Sequence, residues 1–261
     1  MSFIDPTYGH LRPGVHFGEG GAVSSETWPP VKHSARPRSR SRRRPGSCFR
    51  ALLWACLNAF LMIGGLAAFP AATLARPLLI VALGDSLTAG LGLPAEESFP
   101  EVLQNALRAK GYDVEVANAG VSGDTTADGL ARFDWAVPDG ADAAIVELGA
   151  NDMLRGLDPA AAEKSLGEIL GKLKARHVAT LIAGMRAAPN LGADYRARFD
   201  PIYADLARKY DAALYPFFLD GVAADPKLNQ KDGLHPTKAG VEVIVRKMLP
   251  AVEALIAQVK R

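Results

Sequence analysis

From Arg76 to the carboxyl terminus the chain has no cysteine, because Cys48 and Cys56 both lie in the first 75 residues. That later stretch therefore holds no disulfide and no thiolate metal site. It has only two histidines, His177 and His235, too few for a His-rich metal cluster. The phosphate-cradling pattern G-x-x-x-x-G-K-[ST] is absent, as is the serine elbow G-x-S-x-G. The nearest approach to the elbow is Gly120-Val121-Ser122-Gly123-Asp124, where Asp124 replaces the last glycine. No internal repeat is visible.

Charge is short in one place and dense in another. Residues 1–75 hold nine of the 30 basic residues and three of the 28 acidic ones, which leaves 21 basic against 25 acidic residues after position 75. The basic excess thus belongs to the amino-terminal part, and the remainder has no basic face that suggests nucleic acid. The chain has 261 residues, 49% hydrophobic and 22% charged, enough for one sizeable core.

The pattern divides the chain into three. Residues 1–50 form a basic extension, rich in glycine, proline and serine at first and in arginine from Arg36 to Arg50, and disorder is expected there. Residues 51–75, ALLWACLNAFLMIGGLAAFPAATLA, carry no charge. A basic run, an apolar run and a small-residue end read as an export signal, with Thr73 and Ala75 at the recognition positions for cleavage after Ala75. The alternative is a retained membrane anchor, against which Asn58, Gly64, Gly65 and Pro70 count. Residues 76–261 form the domain that carries the chemistry. The expected location is periplasmic or secreted, or the inner membrane if the anchor is kept.

That domain is organised around Pro77–Gly92, PLLIVALGDSLTAGLG. A continuous apolar run, ended by Gly84, reads as a central parallel strand. Further strands are expected at Val114–Ala117, Ala143–Leu148, Ala179–Met185 and Ala213–Phe217. Helices are expected at Phe99–Lys110, Ala127–Trp135, Pro159–Arg176, Ala193–Tyr210 and Thr237–Val259. Strands alternating with helices make a parallel sheet covered on both faces.

Four polar loops then gather at the carboxyl ends of the strands, where such sheets bind ligands. They are Gly84-Asp85-Ser86-Leu87, Ser122-Gly123-Asp124, Gly149-Ala150-Asn151-Asp152 and Asp232-Gly233-Leu234-His235. Together they hold a serine nucleophile (Ser86), a base (His235) and a carboxylate three residues before it (Asp232). They also hold two oxyanion donors, Gly123 through its backbone and Asn151 through its side chain. Each has a plainer reading. Ser86, Asn151 and Asp232 are also residues that cap helices and turns, and Gly123 is also a turn glycine. His177 falls between a helix and a strand, on the opposite rim.

These residues resemble the GDSL, or SGNH, hydrolases, whose four marker residues fall on Ser86, Gly123, Asn151 and His235. The phrases VELGANDMLRGL, PNLGADYRARFDPIYADLA and PFFLDGVAADPKLNQKDGLHP resemble the bacterial arylesterases and the thioesterase I/lysophospholipase group, and the resemblance runs from about Pro77 to Val259. It implies a flavodoxin-like α/β/α fold with five parallel strands in the order 2-1-3-4-5. The expected activity is serine ester hydrolysis through an acyl-serine intermediate, with the backbone N–H of Ser86 as a third oxyanion donor. No cofactor and no metal are implied, and the expected partner is a small-molecule or lipid acyl ester. The loops Met153–Asp158 and Ala187–Gly192 would flank the acyl group, with Leu154, Met185, Pro189 and Leu191 as its apolar wall. Lysophospholipid or thioester cleavage and acyl transfer to an alcohol use the same machinery. A non-catalytic flavodoxin-like binding module remains the reading from another class.

The segment assignment makes a prediction: the exported form begins near Arg76 and lacks both cysteines. Amino-terminal sequencing checks it, and a full-length form recovered from the inner membrane would contradict cleavage.

Overall fold

The computed structural model describes residues 76–259. The extension 1–50, the segment 51–75, Cys48 and Cys56 lie outside the described residues.

Five parallel strands, β1 (Leu78–Gly84), β2 (Val114–Gly120), β3 (Ala143–Glu147), β4 (Ala179–Ala183) and β5 (Ala213–Tyr215), form one sheet in the order β2-β1-β3-β4-β5. This is the expected order. The chain direction across the sheet reverses beside β1, so the crevice at the carboxyl ends of β1 and β3 is the natural ligand site. Aliphatic runs make β1 and β3 central: six of seven residues in β1 and all of β3 are buried. Such unbroken apolar runs are what a strand covered by helices on both faces requires.

The helices α1 (Ser86–Ala89) and α2 (Phe99–Ala109) follow β1, and α3 (Thr126–Ala131) and α4 (Phe133–Ala136) follow β2. Next come α5 (Ala150–Leu154) and α6 (Pro159–Ala175) after β3, α7 (Gly192–Phe199) and α8 (Ile202–Tyr210) after β4, and α9 (Lys238–Ile256) at the end. The long helices begin where their caps direct. Asp158 accepts the Ala160 N–H ahead of Pro159, and the Thr237 hydroxyl accepts the Gly240 N–H. On α2, Phe99, Leu103 and Leu107 recur at helical spacing and are fully buried. Phe99 meets Phe218 edge-on at 5.1 Å and ties α2 to the loop after β5.

The structure corrects several boundaries. Strand β2 runs on to Gly120, because its pairing with β1 continues in register to Gly84 opposite Gly120. The helix expected over Ala127–Trp135 is two pieces broken at Arg132, whose side chain turns inward to bond Asp124 and the Gly84 carbonyl. The helix expected over Ala193–Tyr210 breaks at Asp200-Pro201, since Pro201 has no N–H for the preceding turn. Residues 150–154, expected as loop, are the short helix α5. Strands β3, β4 and β5 stop one or two residues early. Beyond β4 and β5 the two segments stay linked, with the Gly184 N–H on the Tyr215 carbonyl and the Phe218 N–H on that of Gly184, while Pro216 bends the chain after β5.

Among the described residues, no helix is long and apolar enough to cross a membrane, and no cluster of three His, Cys, Asp or Glu is arranged to hold a metal ion.

Gly120 carries the tightest backbone approach beside the β1 turn. A Cβ there would lie 2.4 Å from the Ala89 nitrogen and 2.9 Å from the Asp85 carbonyl oxygen. Backbone cannot yield as a side chain does, so Gly120→Ala is expected to cost about 1–3 kcal/mol and to lower activity by displacing α1. Gly140, with open space around it, is the control: Gly140→Ala should stay within ~0.5 kcal/mol of the parent. Thermal or urea unfolding of the two variants checks the contrast.

Candidate active site

The first turn after β1 places Ser86. Asp85 breaks the strand and its Oδ1 accepts the Leu87 N–H at 2.9 Å, which starts α1 with Ser86 as its first residue. Gly90, in the left-handed region at φ 81°, closes that helix by donating to the Ser86 carbonyl. Ser86 is thereby fixed at the carboxyl end of the central strand, nearly buried, with its N–H among the unpaired donors at a helix start.

The loop before α9 brings His235 to it. Asn229 donates to the Val222 and Asp225 carbonyls, and the Gln230 N–H donates to the His235 carbonyl at 2.7 Å. The Gln230 amide also donates to Leu91 and Pro236 carbonyls, which ties the His235 loop to the Ser86 loop. Within the loop, Asp232 folds a tight turn. Its Oδ1 accepts the N–H groups of Leu234 and His235, and its Oδ2 lies 2.6 Å from His235 Nδ1. The other ring nitrogen, Nε2, lies 2.9 Å from Ser86 Oγ.

The electrostatics assign the protons. The Leu234 N–H first, then the His235 ring and N–H, hold the Asp232 carboxyl down at about 2. Asp232 is thus a carboxylate at any working pH. It accepts a hydrogen bond from Nδ1–H, which keeps the proton on Nδ1 and leaves the Nε2 lone pair facing the Ser86 hydroxyl. His177 stands apart: it takes a left-handed turn at φ 57° between α6 and β4 and lines a hollow of about 390 Å³ at the opposite rim.

Two further loops close the site. Gly123, at φ 91°, needs the freedom of glycine, and its carbonyl accepts from Arg155 Nη2 at 2.7 Å. Asn151 sits in the first turn of α5, and its Nδ2 donates to Asp85 Oδ2 at 3.1 Å and to the Asp124 carbonyl at 3.0 Å. Asp124 is held by Arg132, Nε to Oδ2 at 2.5 Å, in an ion pair with little solvent exposure. Arg132 Nη2 also donates to the Gly84 carbonyl.

Ser86, Gly123, Asn151 and His235 all line one open, largely apolar cavity of about 570 Å³. Leu154, Met185 and Pro189 line it. Leu191 does not: it ends the short turn Pro189–Leu191 ahead of α7 and packs against the core. Phe217, Leu219, Ala223 and Ala224 complete the wall. For Phe217 and Leu219 the apolar run directly after β5 was the available signal. Gln230, Arg132 and Arg155 carry no sequence pattern of their own, and only the folded loops reveal their contacts.

The sequence matches the GDSL-like lipase/acylhydrolase family over residues 82–243. The chain belongs to this family. It is 35% identical over 201 residues to esterase TesA of Pseudomonas aeruginosa, an alignment covering 77% of this chain and all of that protein. It is 41% identical over 161 residues to an arylesterase of Vibrio mimicus, covering 60% of this chain and 79% of the relative. Among solved structures it is similar to AlinE4, an esterase of the SGNH-hydrolase family, with 51% identity, a TM-score of 0.59, and coverage of 70% of this chain and 98% of that one. As a member of the GDSL family the chain is a hydrolase of ester bonds, which replaces the reading as a non-catalytic binding module.

Asp232→Asn keeps the shape of the turn but removes the charge that fixes the imidazole tautomer, and kcat should fall on the order of 10²–10⁴-fold. In the parent, Asp232 stays charged down to a pH of about 2, so its own ionisation adds no step to the kcat/KM profile near neutral pH. His177→Ala should leave rate and pH profile unchanged. Steady-state kinetics across pH on the three proteins decide.

Proposed function

We propose that this hydrolase is an exported serine carboxylesterase in which Ser86, His235 and Asp232 form the catalytic triad. The observation that carries the reading is the 2.9 Å contact between His235 Nε2 and Ser86 Oγ, with the Asp232 carboxylate 2.6 Å behind the ring. His235 takes the Ser86 hydroxyl proton as Oγ attacks the acyl carbonyl carbon. The carbonyl oxygen, now an oxyanion, is received by the backbone N–H groups of Ser86 and Gly123 and by Asn151 Nδ2. The tetrahedral adduct collapses, the alcohol leaves with the proton from His235, and Ser86 holds the acyl group. Water then enters, gives its proton to His235, and releases the acid and free Ser86 by the same steps in reverse. The cavity's apolar wall, with Leu154, Met185 and Phe217, suits the acyl chain of a small-molecule or lipid ester.

Export rests on the sequence alone, on the basic run followed by the uncharged segment 51–75, with residues 76–261 as the hydrolase domain. A periplasmic or secreted enzyme would then meet its esters outside the cytoplasm.

Ser122 also lines the cavity, so it is the rival nucleophile. Ser86→Ala should lose hydrolysis of p-nitrophenyl esters by at least ~10³-fold with an unchanged melting temperature, and Ser122→Ala should retain at least partial activity. A dead Ser122→Ala beside an active Ser86→Ala would overturn the assignment.

A further inference from the structure

Beneath Ser86 lies a pair of buried carboxyl groups that the triad does not use. Glu147 ends the central strand β3, opposite Gly84 in register, and is fully buried. Its Oε2 accepts the Thr88 hydroxyl at 2.7 Å and the Asp85 N–H at 3.4 Å, and its Oε1 has no hydrogen-bond partner. Asp85, also fully buried, divides its two oxygens. Oδ1 takes the Leu87 N–H, and Oδ2 takes Asn151 Nδ2. Glu147 and Thr88 fill the space beside Gly84: a Cβ there would fall 2.0 Å from Thr88 Oγ1 and 2.7 Å from Glu147 Oε2.

We propose that Asp85 is a positioning residue for catalysis, whose carboxylate holds the Asn151 carboxamide in place as an oxyanion donor while Glu147 holds the Asp85 turn from below. The inference rests on the assignment of Asn151 to the oxyanion site. An asparagine amide rotates about its χ angles unless its N–H groups are directed, and in the resting site Nδ2 has two acceptors, Asp85 Oδ2 and the Asp124 carbonyl. Each of those acceptors is itself held. Asp124 is tied to Arg132, and Asp85 to Leu87 through its side chain and to Glu147 through its backbone. Nδ2 carries only two N–H groups, so the oxyanion displaces the Asp124 carbonyl as acceptor while the Asp85 carboxylate keeps the amide aimed.

Two buried carboxyl groups that repel each other do not both ionise readily. Burial first, and the Asp85 charge second, push Glu147 well above the usual carboxylate range. That makes it a neutral acid, in keeping with an oxygen left without a donor. Burial pushes Asp85 up only to about 6, because the Leu87 N–H and Asn151 stabilise its charge. The His235 side chain also favours that charge and Asp124 opposes it. The negative charge at neutral pH therefore sits on the carboxyl group that touches Asn151.

Asp85→Asn offers one oxygen where two N–H donors must be met, so Leu87 or Asn151 loses its acceptor. The test is a double-mutant cycle with Asn151→Ala, in folded proteins, on a soluble p-nitrophenyl ester. Asn151→Ala should lower kcat by ~10²–10³-fold with little change in KM. Asp85→Asn should lower kcat at least ~10-fold with KM again nearly constant, and the double variant should be no slower than Asn151→Ala alone. Losses that multiply would overturn the inference and leave the oxyanion assignment standing. An undiminished Asn151→Ala would overturn both. If Asp85→Asn does not fold, side-chain amide NMR of the parent decides. The Asn151 protons should titrate together with the Asp85 carboxyl carbon, and Asn151 signals that ignore Asp85 would overturn the inference.

Discussion

The row Gly120–Gly84–Glu147, side by side across β2, β1 and β3, is the constraint on which the site depends. Parallel pairing with no slip brings the ends of three strands to one level, so the loops that leave them start from one rim. At that level there is no room for side chains on β1 or β2. Ala89 and Asp85 press on Gly120, and Thr88 and Glu147 press on Gly84. The short helix α1 can therefore fold directly back over the sheet, and Ser86 is presented at the crevice by packing rather than by the strained elbow of other serine hydrolases.

Around that level the polar groups are arranged by depth. Glu147 and Asp85 are fully buried, Asn151 is half-buried at the cavity wall, and Asp232 is exposed. The deeper contacts are stiff because each buried group must find its partner or stay uncharged. The triad contact is different in kind. Asp232 is held by local N–H groups two and three residues away and needs no burial to stay ionised. The many ion pairs on the outer helices, such as Lys164–Glu168, are exposed and contribute little to stability.

Much of this was legible in the residues. The apolar runs of β1 and β3, the capping signals of α6 and α9, and the four loops at one rim follow from local pattern, and the five-strand order was expected from the resemblance. Where local pattern misled, a non-local contact had won. Arg132 reads as a helix residue but breaks its helix to reach Asp124 and Gly84. Leu191, placed in the acyl wall by the resemblance and not by local pattern, is outside the cavity lining. The sequence shows Asp232 and His235 three residues apart, and spacing alone suggests their contact. Nothing local suggests that Gln230 reaches Leu91, or that Asp85 reaches Asn151 across 66 positions.

The central claim is that an acyl group passes through Ser86. It is tested most directly by mixing the enzyme with a p-nitrophenyl ester, quenching in acid during the first turnover, and mapping the acyl mass by peptide mass spectrometry. The account predicts a burst of p-nitrophenol and one acyl group per chain on the peptide that contains Ser86. An acyl group found on Ser122 instead, or a burst with no covalent adduct on any serine, would contradict it.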